Sequence, residues 1–248
     1  MKSQDILLLL KIISMHIEIN GKNTDSDIVE LSNHNGGWWE AFSEGGSITD
    51  VGGVSANNFN DDALISSISS AEHENWKEKG LRPSYTVEND IQNRFTVRNL
   101  ELYTGISKSQ ISLSLNRMYD VGLAKPDRAL GIPKVNIKGL LEFIAYGIKY
   151  VFPAKEGALS RGITTSIAAP ALKGSLMSSG EIPPVWADPR GKTKGVMITP
   201  LHPNIFQAIQ NDNRLYAMLA LVDAIRIGRP REHNLALEKL EIIFQGVK

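Results

Sequence analysis

Apolar positions fall into helical stripes at both ends of the chain and lose their rhythm in between. From Ser3 to His16 the run Ile6–Leu10, followed by Ile12 and Ile13, predicts a buried amphipathic helix. Ser3 is its expected cap, with Asp5 in the first turn. Residues 18–80 lack this periodicity. Glycine pairs at 36–37, 45–46 and 52–53 punctuate an Asn-, Asp- and Ser-rich stretch that reads as an insertion, with one short helix at Asp61–Lys79. Trp38, Trp39, Phe42 and Phe59 are expected to anchor it. Two helical patterns then occupy Arg94–Asp120. Leu123–Val135, with Pro126, Gly131 and Pro133, predicts a short hairpin, and Asn136 precedes a helix over Ile137–Tyr150. Prolines 153, 170, 183, 184 and 189 forbid long helices in 151–200, where one strand is expected at Val196–Thr199. Three helices are expected at the end: Asn204–Gln210, Leu215–Ile227 and Glu232–Phe244.

The two patterns in Arg94–Asp120 meet at Thr104-Gly105-Ile106-Ser107. Gly105 permits a tight inter-helix turn, and Ser107 stands at the cap of the second helix. Ile106, Ile111, Leu115 and Met118 form the inner stripe of that helix, and Leu100 and Tyr103 the facing stripe of the first. The opposite face carries Lys108, Ser109, Gln110, Ser112, Leu113, Asn116 and Arg117. Short polar and basic side chains of this kind suit a helix lying in a DNA major groove, N-terminal residues foremost. Gln110 matches adenine, Lys108 and Arg117 match guanine or phosphate, and Ser107 with the free N–H groups at the helix start suits a phosphate. Lys125, Arg128 and Lys134 on the hairpin would reach the backbone as a wing; a solvated basic loop is the plainer reading. The expected fold is therefore mainly α with small β (α+β): a winged helix-turn-helix over 1–135, interrupted at about 18–82, then a C-terminal α/β region over 136–248 that ends in helices.

Charge changes the picture once its distribution is considered. The whole chain is neutral, yet residues 18–80 hold 12 acidic and 3 basic residues, leaving the rest with a net charge of +9. The balance needed to meet phosphate is present outside the acidic segment. With no cysteine, disulfides, thiolate metal sites and a cysteine nucleophile are excluded, and a cytoplasmic setting fits.

Residues 96–123 resemble the MarR-like winged-helix regulators of bacteria. One departure is Glu101, where that pattern has a small residue between the two helices; a carboxylate there needs a partner or an outward tilt. Met1–Leu7, Tyr150–Ala154, Arg161–Thr165, Ala168–Pro170, Pro184–Trp186 and Leu221–Arg226 are similar to a group of poorly characterised bacterial proteins that carry this winged helix. The resemblance implies a DNA-binding regulator, and for some members a neighbouring nucleotidyltransferase gene, as in toxin–antitoxin or defence loci.

Other chemistry is weakly signalled. Gly191-Lys192-Thr193 lacks the preceding glycine of a phosphate loop and reads as a surface turn between strands. The five histidines show no metal-ligand spacing, and no Gly-x-Ser-x-Gly elbow is present, so neither an enzyme nor a bound metal or cofactor is expected. Phe152–Pro170, with Lys155 and Arg161, reads as an irregular linker or an anion cradle. Asp223 and Arg226, three apart on a helix, are expected to pair structurally, and Arg229 and Arg231 to cap helix ends or touch DNA or an acidic partner. Partners expected are double-stranded DNA, a second copy of the chain packed through Leu215–Ile227, and a protein encoded nearby that an antitoxin-like role would use. No membrane association is expected, since no apolar run reaches about 18 residues.

Overall fold

The computed structural model describes residues 1–20, 87–172 and 182–247; the expected helix at Asp61–Lys79 and the four aromatic anchors lie outside the described residues. Helix α1 spans Ser3–Ile19, α2 Val87–Arg94, α3 Val97–Thr104 and α4 Lys108–Asp120. Strands β1 (Ala124–Pro126) and β2 (Pro133–Val135) form the hairpin, and α5 (Ile137–Tyr146) and α6 (Ile148–Val151) follow. Next come β3 (Glu156–Thr164), a 3-10 turn at Ser166–Ala168, β4 (Pro184–Ala187) and β5 (Thr193–Ile198). The chain then enters α7 (Ile205–Ala208), α8 (Asn213–Ile227) and α9 (Pro230–Gln245). The fold is mixed, mostly helical with small sheets.

Helix α1 differs from the expected amphipathic element. Every residue from Asp5 to Met15 is buried, including Lys11 and Ser14. It passes between α3, α4 and β2 on one side and α8 on the other. Two of its three buried polar groups are answered from about 200 residues away: Lys11 Nζ lies 2.8 Å from Asp212 Oδ2, and Ser14 Oγ donates to Asp212 Oδ1 at 2.8 Å. The cap also differs. Lys2, not Ser3, precedes the helix, and its N–H donates to the Asp5 carboxylate at 2.6 Å. A three-residue offset lets a carboxylate at the third helical position satisfy that N–H.

Helix α8 is buried from Leu215 to Arg226 except at Ala217, between α1, α6 and α9. It is therefore not free to pack against a second copy, as its apolar stripe suggested; its partners lie within the chain. One hydrophobic core contains Ile6–Leu10 of α1, Leu100 of α3, Ile111 and Met118 of α4, Leu140 of α5, Trp186 of β4 and Leu219 of α8. Residues on both sides of position 135 thus share a core.

The helix expected over Ile137–Tyr150 divides at Gly147 into α5 and α6. Phe152–Pro170 is not an irregular linker, because nine of its residues form β3. Strand β3 pairs antiparallel with both β4 and β5, and β4 pairs parallel with β5, so three strands close on themselves. Such tight closure needs backbones to touch: a Cβ on Gly162 would collide with the Trp186 carbonyl oxygen, and one on Gly195 with the Pro183 carbonyl oxygen. Gly191-Lys192-Thr193 carries the chain from the Asp188–Gly191 turn into β5, as a turn between strands should.

Candidate nucleic-acid interface

Helices α3 and α4 are joined by three residues, Gly105-Ile106-Ser107. Thr96 caps α3 by accepting the Asn99 N–H. Gly105 ends it at φ +67°, a left-handed conformation open to glycine at little cost. The turn is sealed from the far end of the chain. The Asn204 amide donates to the Gly105 carbonyl at 2.6 Å, and the Gln207 amide donates to the Leu102 carbonyl at 3.2 Å. A Cβ on Gly105 would collide with Gln207 Oε1, so short α7 holds the turn in shape. Ile106 is buried, and its N–H reaches Thr104 Oγ1 at 3.3 Å.

Helix α4 turns Ile111, Ser114 and Met118 inward. Ser109, Ser112, Leu113 and Asn116 face outward and are exposed. Leu113 keeps 51% of its surface exposed. Three of the seven residues assigned to that face have side-chain partners on other helices. Gln110 Oε1 accepts from Gln4 Nε2 at 3.1 Å. The same amide donates to Ser114 Oγ at 2.9 Å. Arg117 Nη2 donates to Asp5 Oδ1 at 2.5 Å and to Ser114 Oγ at 3.0 Å, and its Nε donates to Asp5 Oδ2 at 3.2 Å. Burial pushes the Asp5 carboxyl up, but the bonds from Arg117, the Lys2 N–H and Ser114 outweigh it and hold it below the usual range. Gln110 and Arg117 therefore fasten α4 to α1 and do not stand free for bases.

Lys108 has a partner as well. Its N–H donates to Glu101 Oε1 at 3.3 Å, and its Nζ lies 3.6 Å from Glu101 Oε2. Glu101, the residue that departs from the MarR-like pattern, thus finds its partner at the start of α4. A carboxylate occupies the place expected for a phosphate, where free N–H groups and the helix dipole favour negative charge. Ser107 holds the cap position without a side-chain cap bond; its hydroxyl lies 3.4 Å from Ser109 Oγ. Beside this pair an open cleft is lined by Arg98, Asn99, Glu101, Leu102, Lys108 and Gln207.

The hairpin packs against α4 through β1. Lys125 and Lys134 are register partners, so their side chains share one face; Ala124 and Val135 are buried on the other. At the tip, Asp127 accepts the Ala129 and Leu130 N–H groups at 2.8 and 3.1 Å, leaving Arg128 exposed. None of Lys125, Arg128 and Lys134 forms an ion pair with a described residue. Like charges placed directly opposite destabilise an antiparallel pair. His16 anchors the hairpin's root by bonding to the Pro133 carbonyl at 2.8 Å; burial pushes its pKa down.

The other sequence-marked residues lie elsewhere. Asp223 and Arg226 pair at 2.6 Å with 1% and 3% of their side chains exposed. Trp186 Nε1 and Thr165 Oγ1 donate to the same carboxylate at 2.6 and 3.0 Å. Burial pushes the Asp223 carboxyl up, against the pull of these donors. Arg226 also donates to the Phe152 carbonyl at 2.8 Å and the Thr199 carbonyl at 3.3 Å. This is a structural hub, as the spacing suggested. Arg229 and Arg231 are exposed at the start of α9. Among the described residues no three His, Asp or Glu side chains converge as metal ligands, and no helix is long and apolar enough to cross a membrane.

No family model matches the chain, and no curated protein or solved structure matches it either.

Proposed function

We propose that this protein is a sequence-specific DNA-binding regulator, in which α3 and α4 act as the helix-turn-helix and the β1–β2 hairpin as the wing of a winged helix. Within that class we assign it to MarR-like repressors that occlude a promoter, the promoter being its own, in the cytoplasm. The observation that carries this reading is the hairpin beside α4. Lys125 and Lys134 face one another and form no ion pair with a described residue, although the Asp127 carboxylate at the hairpin tip feels the charge of Lys134; they stand next to an outward helix face of short polar side chains. An anionic backbone would turn that local repulsion into affinity. Phosphate contacts would supply most of the binding, and α4 the choice of sequence. A two-fold pairing on a palindromic site would use a surface other than α8.

A second reading is an antitoxin-like protein that binds a neighbouring gene product through its C-terminal half. It is favoured by one exposed aromatic patch: Tyr146 and Tyr150 are each 74% exposed, and Val151 is 50% exposed.

The test is an anisotropy titration of the full chain against the duplex immediately upstream of its coding region, beside a scrambled duplex, at two salt concentrations. Tighter binding to the upstream duplex is expected. In the combined Lys125→Ala, Arg128→Ala, Lys134→Ala variant, affinity should fall on both duplexes, and the salt slope should shrink by roughly 2–3. Absence of binding to either duplex at roughly 50 mM salt refutes the regulator and leaves the second reading.

A further inference from the structure

The outward face of α4 carries a preference that follows from which of its side chains are already engaged. Successive residues turn by about 100° on a helix. With Ile111, Ser114 and Met118 inward, the line farthest from the core runs through Ser109, Leu113 and Asn116. Side chains able to grip guanine bidentately are Arg and Lys. On this helix Arg117 is committed to buried Asp5, and Lys108, exposed beside Glu101 at 3.6 Å, sits at the helix start, off the line through Leu113 and Asn116. Gln110, the other adenine reader, is bonded to Gln4.

What remains is an apolar side chain and an amide. The Ser112 hydroxyl donates back to the Lys108 carbonyl at 3.1 Å, and the Ser109 hydroxyl lies against Ser107. The Asn116 amide has no partner among the described residues, and Leu113 is half exposed in the middle of the face. A major groove offers one apolar feature, the thymine C5-methyl, and an Asn amide matches adenine N6 and N7. Residues three apart on a helix are surface neighbours, so Leu113 and Asn116 address adjacent positions.

Resting on the DNA-binding reading above, we infer that the centre of α4 reads A·T pairs, with Leu113 against a thymine methyl and Asn116 paired to adenine, and that Arg117 makes no guanine contact. The site it selects has an A·T step at the centre of each contacted half.

The experiment is selection of the full chain on a random duplex library, then anisotropy on the enriched duplex and two matched duplexes. One replaces the central thymine by uracil, which removes only the methyl; the other replaces the adenine by 7-deazaadenine, which removes N7. Wild type should lose roughly fourfold on the uracil duplex, the worth of one buried methyl. Leu113→Ala should bind the thymine and uracil duplexes alike. Asn116→Ala should lose roughly tenfold on the enriched duplex and no longer distinguish 7-deazaadenine. Both side chains are exposed, and unchanged thermal midpoints will show that the variants fold. A consensus centred on G·C, or a uracil effect of equal size in wild type and Leu113→Ala, overturns the inference while DNA binding stands. Equal, salt-sensitive binding to every duplex overturns it too. No binding to any duplex overturns the inference together with the regulator reading.

Discussion

Replacing Asp223 by alanine would remove a carboxylate on which three donors converge. Arg226 would keep its charge with 3% of its side chain exposed and no counter-ion. Breaking a buried ion pair from one side costs about 3–5 kcal/mol, because the surviving charge stays desolvated. The Trp186 indole N–H and the Thr165 hydroxyl would lose the same acceptor, and a buried donor left unpaired costs about 1–3 kcal/mol. These costs overlap and do not simply add. Even the lower bound is a large share of the roughly 5–15 kcal/mol that holds a domain folded. Urea unfolding followed by far-ultraviolet circular dichroism is the assay, with the slope checked for constancy. Asp223→Asn, which keeps an acceptor for Trp186, should be milder than alanine. Joint replacement by Asp223→Leu and Arg226→Met should recover only part of the loss. Arg226 also serves the Phe152 and Thr199 carbonyls, which would then be orphaned. A loss below about 1 kcal/mol for Asp223→Ala, at constant slope, would refute the hub.

Two further outcomes follow from carboxylates around α4. Glu101→Gln should tighten DNA binding roughly two- to fivefold, since the helix start and Lys108 are released to a phosphate. The salt slope should steepen by about 0.9 for the added contact; weaker binding in an anisotropy titration would contradict the role given to Glu101. Asp5 has its folded pKa below its unfolded value of about 3.9. Its contribution is therefore present above that unfolded value and is lost as pH falls through the folded pKa. Asp5→Asn should be less stable near neutrality by about 1.5–3 kcal/mol, with a flatter decline in acid. Unfolding free energies from pH 7 downward that fall in parallel for the two proteins would count against the assignment.

Elements with strong local signals were legible in the chain. The α3–α4 pair announced itself through Gly105 and the four-and-three spacing of Ile111, Leu115 and Met118, and the hairpin through Gly131 and Pro133. Strand β3 was not. Its Glu156–Arg161 half is exposed and rich in small residues, so neither alternation nor an apolar run marks it. It exists because β5 and β4 flank it, and pairings 21 or more residues distant leave no local pattern. The outward face of α4 was legible by residue type but not by engagement. Lys108, Gln110 and Arg117 have the residue types of DNA contacts, and what redirects two of them lies 106 and 112 residues away, at Gln4 and Asp5. A usable clue was there: polar residues on an otherwise apolar helix need partners once buried.

The burial of α1 also sets a timetable. Lys11 meets Asp212 across 201 residues of chain, and the same helix packs along α8. At synthesis rates of about 5–20 residues per second, this apolar helix waits roughly 10–40 s for its counterpart to emerge. During that interval its leucines and isoleucines have no native cover on that side. Contacts so distant in sequence slow folding, and until the last helices arrive the native packing open to α1 is that against α3, α4 and β2.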